Sequence, residues 1–295
     1  MRPEFGYLLT AVVTPFDARL AVNFGVFRKL VRELVDRGSD GIVIAGTTGE
    51  SPTLSHKEKL RLIEVALEEV GDVARVVGGT CSYNTSESIE LSREAEKIGV
   101  HGILGVAPYY NKPPQEGLYQ HFRAIADSVK IPLMLYNIPG RSGVNIEPET
   151  VKRLSEILNI TSIKEASGSI DQLSRLAGSL PPGFSIYSGD DNMTYPTLAM
   201  GGVGVVSVAS HIAGEEIKRM IEAFHANDIK EARSIHLRLY PLFKALFLTT
   251  NPIPLKAALK LRGWDVGEVR PPLCPLEDNQ KTQLIGVLRK LGFLL

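Results

Sequence analysis

Side chains able to do chemistry gather in short segments of this 295-residue chain: Gly46-Thr47-Thr48-Gly49-Glu50-Ser51, Pro108-Tyr109-Tyr110-Asn111, Tyr136-Asn137-Ile138-Pro139-Gly140-Arg141, Lys164-Glu165 and Ser188-Gly189-Asp190-Asp191. A lysine taken by itself is most often a solvated surface residue. Lys164, however, follows the run Thr161-Ser162-Ile163, so its side chain starts at the rim of a buried strand. Desolvation there favours the neutral amine, which can attack a ketone to form an imine. Carbinolamine formation and loss of water each move a proton, so such a lysine needs a shuttle beside it. Tyr136 is expected one strand away, and the hydroxyls of Thr47 and Tyr110 could relay its proton to solvent. A tyrosine at a strand end is also commonly a packed aromatic with a satisfied hydroxyl.

The Gly46-Thr47-Thr48-Gly49 turn offers amide donors close to a helix start, which suits a carboxylate; threonine caps on an ordinary strand-to-helix turn explain it equally well. Arg141, in a Gly-Arg-Ser-Gly loop, could grip a second carboxylate with its planar fork, although most loop arginines do not. Asp190 and Asp191 lack a third oxygen ligand at a recognisable spacing, and N-capping of the next helix accounts for them as well as a metal does, so no metal is expected. His56, His101, His211 and Cys81 have no partners of the Ser/His/Asp or metal-ligand kind and read as surface or packing residues.

These segments must be held by the elements that precede them. Short β-branched runs alternate with helical patterns, which predicts parallel strands joined by helices. Strands are expected at Leu8 to Val13, Gly41 to Ala45, Ala74 to Gly78, Gly102 to Ala107, Pro132 to Tyr136, Ile160 to Ile163, Phe184 to Tyr187 and Gly204 to Val208. Their nearly unbroken apolar content fits strands buried on both faces. Helical spacing runs through Phe24 to Asp36, His56 to Val70, Ser86 to Ile98, Gln115 to Asp127 and Pro148 to Leu158.

Eight such units predict a (β/α)₈ TIM barrel over residues 1–224. An open doubly wound sheet normally has a Gly-rich turn after its first strand, where this chain has Thr14-Pro15-Phe16. In a barrel the reactive residues belong at the C-terminal ends of the strands, where the segments above fall. Alternation stops after about residue 224, and Ile229 to Leu248, Pro254 to Leu261 and Glu277 to Leu291 predict a helical C-terminal extension over 225–295.

The 33 basic and 33 acidic residues cancel, so no overall field draws nucleic acid or anionic lipid, and a small-molecule partner is favoured. Two cysteines without metal or disulfide spacing suit a reducing compartment. No apolar run is long enough to span a bilayer and the N-terminus lacks signal-peptide features, so a cytoplasmic location is expected.

Read together, GTTGES (46–51), PYYNKP (108–113), YNIPGRSG (136–143), IKEASG (163–168) and SGDD (188–191), with NPIP at 251–254, resemble the dihydrodipicolinate synthase family of the N-acetylneuraminate lyase superfamily. The resemblance covers nearly the whole chain; GTTGE alone is shared across the superfamily. It implies condensation of pyruvate with L-aspartate 4-semialdehyde in the diaminopimelate route to L-lysine, without metal or organic cofactor. It further implies that Lys164 forms the imine, that Tyr136 is proton donor and acceptor, and that Thr47 links it to a Tyr110 supplied by a neighbouring subunit. By the same resemblance Thr48 and Val206 contact pyruvate, Gly189 lies near it, and Arg141 receives the carboxylate of the aldehyde.

The family implies a homotetramer, a dimer of dimers. Ser51, His56, Glu87 and Tyr109 match positions at which relatives bind L-lysine, but Lys59 and Tyr83 depart from the feedback-sensitive pattern, so lysine inhibition is expected to be weak or absent. Two other readings compete: a different pyruvate-dependent class I aldolase acting on N-acetylneuraminate or a 2-keto-3-deoxy sugar acid, and a catalytically silent barrel that binds a keto acid. Arg141 disfavours the first; the joint presence of Lys164, Tyr136, Thr47 and Tyr110 disfavours the second.

Overall fold

The computed structural model describes residues 3–295. Its elements follow in the order β1 (Leu8–Ala11), α1 (Phe24–Asp36), β2 (Gly41–Ile44), α2 (His56–Val70), β3 (Arg75–Gly79), α3 (Thr85–Ile98), β4 (Gly102–Val106), α4 (Gln115–Ala126) and β5 (Leu133–Asn137). The second half runs α5 (Pro139–Ser142), α6 (Pro148–Leu154), β6 (Ile160–Glu165), α7 (Ile170–Ser179), β7 (Ser185–Ser188), α8 (Thr194–Ala199), β8 (Gly204–Ser207) and α9 (Ser210–His225). Three helices close the chain: α10 (Ile229–Ala245), α11 (Ile253–Leu261) and α12 (Asp278–Lys290). The strands are parallel, ordered as in the sequence, and closed by β1 pairing with β8, which is the expected (β/α)₈ barrel.

Side-chain alternation along the strands splits the apolar residues between two compartments. Leu9, Ala11, Val43, Val77, Leu104, Met134, Tyr136, Tyr187 and Val206 fill the lumen, with Phe5 beneath them. The intervening positions, such as Leu8, Ile42, Ile103, Leu135 and Ile163, pack outward against the helices. The Tyr187 hydroxyl donates to Gly6 O at 2.7 Å, so the N-terminal segment under the barrel is tied to β7. Outside, α1 presents Phe27, Leu30, Val31 and Leu34 on one face and is capped by Asn23, whose side chain accepts from Val26 N–H. In α2, Ser55 and Glu58 form a reciprocal capping box.

Helices α1 and α2 have the limits that the periodicity predicts. Strand β6 runs two residues beyond its predicted end, because Lys164 pairs with Tyr136 and Tyr187, and Glu165 with Asn137 and Ser188. The ladder is a backbone interaction and continues where the side chains turn polar. Helix α6 stops at Leu154, short of the predicted Leu158. The division expected after residue 224 falls at the end of α9, and the apolar core continues across it into α10, α11 and α12.

The extension grips the barrel at the loop after β2. Lys256 Nζ on α11 lies 2.7 Å from Glu50 Oε1, both side chains nearly inaccessible, and Arg270 N–H donates to Glu50 Oε2 at 2.8 Å. The Arg270 guanidinium forks onto both oxygens of Glu58 at 2.6 and 3.1 Å and also donates to Leu20 O and Thr53 O. Among the described residues no helix is long and apolar enough to cross a membrane.

Candidate active site

Lys164 and Tyr136 are register partners on neighbouring strands, so their side chains leave the barrel wall on the same side. That side is the lumen, where Tyr136 packs with Tyr187 and Val206. Lys164 is 5% exposed, and its Nζ stands 4.1 Å from the centroid of the Tyr136 ring. The backbone at Gly189 passes close by: a Cβ there would meet Lys164 Cγ at 3.2 Å and Ala166 Cβ at 2.5 Å, so only glycine fits without displacing its neighbours. Gly189 N–H donates to Glu165 O at 2.7 Å and holds that approach.

A cavity of roughly 210 Å³ opens beside this pair, with Gly46, Thr47, Tyr109, Tyr136 and Arg141 in its wall. The structure thus brings Thr47, Tyr136 and Arg141 to one cavity, with Lys164 against the tyrosine. Thr48 is buried and its hydroxyl accepts from Asn251 Nδ2 at 2.9 Å. Tyr110 is not with the others: it is 91% exposed, with its backbone in the left-handed region at φ 72°. It borders a shallow outer depression shared with Tyr109, Lys112 and Arg141.

Several supporting residues were not singled out from sequence. The Glu165 carboxylate, turned away from the lumen, accepts from Asn137 Nδ2 at 3.0 Å, Gln172 Nε2 at 2.9 Å and Ser167 N–H at 2.6 Å. Asn137 also donates to Asn145 Oδ1 at 2.8 Å and accepts from Ile146 N–H at 2.9 Å. The same asparagine therefore fixes the strand carrying Lys164 and the far end of the loop carrying Arg141. Arg141 Nη2 reaches Asn251 O at 3.4 Å, so Asn251 touches both Thr48 and Arg141. The one signal for these residues in the sequence is the NPIP segment that begins with Asn251.

Asp190 and Asp191 are not helix caps of the kind expected. Asp190 precedes the short turn 191–193 without a side-chain cap bond. Asp191 is buried and accepts from the Ser207 hydroxyl at 2.5 Å, Val208 N–H at 3.1 Å and Ala209 N–H at 2.9 Å, fastening the β7 end to the β8 end. Burial pushes both carboxyls above the usual range, and the charge of Asp191 adds to the shift at Asp190.

The histidines pack or pair. His211 bridges Val208 O and Val13 N–H, with burial lowering its imidazole to about 4; His101 accepts from Val76 N–H; His56 meets Glu94 at 2.7 Å. Cys81 lies in the cavity wall as a buried thiol pushed up to about 12 by desolvation, which keeps it protonated and unreactive.

A buried lysine against a strand-end tyrosine, with a threonine turn and an arginine on the same small cavity, is an arrangement suited to imine chemistry on a carboxylated ketone. Comparison with known proteins gives the same direction. The sequence model of the dihydrodipicolinate synthetase family matches residues 4–291. The 4-hydroxy-tetrahydrodipicolinate synthase of Thermosynechococcus vestitus is 56% identical over 292 residues, covering 99% of each chain. That of Desulforudis audaxviator is 54% identical over 294 residues, covering all of both. The crystal structure of DHDPS from Cyanidioschyzon merolae with lysine bound superposes with a TM-score of 0.98 at 47% identity, over 99% of this chain and 100% of that one. With motifs, barrel and whole-length similarity in agreement, the chain belongs to the dihydrodipicolinate synthetase family.

Proposed function

We propose that this chain is a lyase that condenses pyruvate with L-aspartate 4-semialdehyde to 4-hydroxy-tetrahydrodipicolinate, in the diaminopimelate route to L-lysine. The observation that carries this reading is the register pairing that sets the Lys164 amine 4.1 Å from the Tyr136 ring at the cavity edge. The curated relatives reported above carry this activity as their name.

In the proposed reaction Lys164 attacks C2 of pyruvate and water leaves, giving an imine; loss of a methyl proton gives the enamine. The enamine carbon bonds to the aldehyde carbon, whose oxygen takes a proton. The amine of the second substrate then bonds to C2 and Lys164 departs, so the ring closes with one water lost overall. Tyr136 moves the protons at the oxygen of the carbinolamine, with Thr47 as its link toward solvent. Thr48, Val206 and Gly189 form the pyruvate surface, and Arg141 takes the carboxylate of the aldehyde. The residues supply the electron sink themselves, so the reaction as written needs no organic cofactor.

Tyr110 serves a neighbouring subunit in this reading. Its support is the near-complete exposure of a large aromatic held at positive φ, a conformation that costs about 1–3 kcal/mol for a non-glycine residue. A dimer of dimers acting in the cytoplasm is proposed. Further exposed apolar side chains favour association: Ile170 and Met200, neighbours through the Ser174 contact, and Leu237 and Tyr240 on α10.

Borohydride reduction in the presence of pyruvate, followed by peptide mass mapping, tests the proposal. An adduct on Lys164 is expected, and an adduct elsewhere or none overturns it. Turnover of L-aspartate 4-semialdehyde in preference to sugar-derived aldehydes tests the second substrate.

A further inference from the structure

The turn after β2 makes a demand that its own residues do not meet. Ala45 and Glu50, neither of them glycine, bracket it in the left-handed region at φ 54° and 58°. Such backbone costs free energy and persists only where its surroundings hold it. Part of the hold is internal: Glu50 N–H donates to Thr47 O at 3.0 Å and Ser51 N–H to Gly46 O at 3.3 Å. The N–H groups of Thr47, Thr48 and Gly49, between them, donate to no described residue. Gly46 and Thr47 line the cavity beside Tyr136. Successive free amides on a turn form a concavity for an anion.

The rest of the hold comes from other parts of the chain. Thr14 Oγ1 donates to Gly49 O at 2.7 Å. Asn251, two residues before α11, donates from Nδ2 to Thr48 Oγ1 at 2.9 Å. Lys256, on the first turn of α11, places Nζ 2.7 Å from Glu50 Oε1. Arg270 N–H takes Oε2, and Oε1 has no other partner among the described residues. Lys256 is 2% exposed and Glu50 3%, so water cannot stand in for the ammonium. The ammonium is itself pinned, donating to Glu268 O at 3.0 Å and lying 4.1 Å from the centroid of the Phe16 ring.

A buried ion pair stabilises a fold no better than well-packed apolar residues of similar volume, so stability alone does not call for this one. What it adds is a fixed direction at Glu50, the residue that ends the row of free amides. We propose that Lys256 is a positioning residue for the reaction: acting through Glu50, it keeps the Thr47, Thr48 and Gly49 amides aimed at the carboxylate of the keto acid. This rests on the reading of Lys164 and pyruvate given above.

The test is Lys256→Met combined with Glu50→Gln, which removes the clamp without leaving a buried charge behind. Beside it stand Lys256→Met alone and Leu284→Ala, which loosens the same extension from the buried face of α12, a helix packed on α10 and α11. For each, pyruvate is titrated and trapped on Lys164 with borohydride, and KM for the aldehyde is measured at saturating pyruvate. The pyruvate concentration for half-maximal trapping is expected to rise about tenfold or more in both Lys256 variants, the scale of one misaligned hydrogen bond to a charged group. Maximal trapping and KM for the aldehyde should stay unchanged. Leu284→Ala should lower the melting temperature and leave all three readings at wild-type values. Recovery of pyruvate binding in the double variant along with its stability overturns the proposal, because the pair would then serve the fold alone. An equal shift in KM for the aldehyde, or the same weakening in Leu284→Ala, also overturns it. If Lys256→Met folds poorly, the double variant decides. Failure of wild-type enzyme to trap pyruvate would instead defeat the earlier reading.

Discussion

Lys164 on β6 pairs in register with Tyr136 on β5, and the pairing places the lysine Nζ over the tyrosine ring, 4.1 Å from its centroid. Neither strand can slip without turning one of the two side chains out of the lumen. Tyr136→Phe keeps the ring that packs with Tyr187 and Val206 and removes only the hydroxyl. A fall in kcat of about 10²–10⁴-fold is expected, the range typical of a lost proton shuttle, with the melting temperature nearly unchanged. Steady-state kinetics beside a thermal scan check this; a variant with wild-type kcat would remove Tyr136 from the proton path.

Much of this site was legible because a (β/α)₈ barrel writes its active site at strand ends, and the ends here are marked by β-branched runs breaking into polar residues. Lys164, Tyr136, Thr47 and Arg141 were found that way. Asn251, Lys256 and Arg270 were not. Asn251 meets Thr48 across 203 residues of chain and Arg270 meets Glu50 across 220, and no local pattern encodes such a contact. The exposed position of Tyr110 is equally silent in a single sequence, since its tyrosine neighbour Tyr109 shares the motif yet lines the cavity. The end of β6 was misplaced for a different reason: residue polarity was taken as the end of a ladder that is made by the backbone.

Arg141 borders the cavity and leans on the carbonyl of Asn251 at 3.4 Å. A charge-assisted hydrogen bond is worth about 1.5–3 kcal/mol, so Arg141→Ala is expected to raise KM for the aldehyde by about 10- to 100-fold while leaving pyruvate trapping on Lys164 intact. Arg141→Lys should recover little, because a point charge does not reproduce the planar fork. Equal effects on pyruvate and aldehyde would place Arg141 in a structural role.

The Lys256–Glu50 pair joins the helical extension to the loop after β2, with Lys256 also 4.1 Å from the Phe16 ring centroid. Burial lowers the lysine below its ordinary value, with Glu50 opposing that shift. Lys256→Met leaves the Glu50 carboxylate buried without its counter-charge and is expected to cost about 3–5 kcal/mol in urea unfolding. Glu50→Gln with Lys256→Met should cost less than the two single changes added together. Strict additivity would show that the pair does not interact in solution.

Glu58 is held by Arg270 and by the Ser55 capping box, and its carboxyl falls from 4.5 to about 2, with the Arg270 hydrogen bond as the largest cause. A depressed carboxyl contributes stability that is fully present above its unfolded value and is lost as protons bind. Stability should therefore decline as pH falls from about 4.5 toward 2. Chemical denaturation across that window in wild type and Arg270→Ala checks the assignment: the variant should be less stable at neutral pH and show a shallower decline. Parallel curves would assign the acid sensitivity to other groups.

Lys59 on α2 is half-buried, and its ammonium acts on Glu87 and Cys81; burial lowers its value and Glu87 opposes the shift. The family resemblance implies that Lys59 stands where feedback-sensitive relatives often carry histidine. Two unit charges about 4 Å apart repel by roughly 4 kcal/mol in a partly buried setting, enough to abolish useful affinity for a cationic amino acid. Sub-millimolar L-lysine is therefore expected to leave more than half of the activity. Lys59→His, neutral in large part at pH 8, should increase the inhibition, and the increase should shrink as pH falls and the imidazole gains its proton. Strong inhibition of the unaltered enzyme, or no change in the histidine variant, would separate Lys59 from lysine sensitivity.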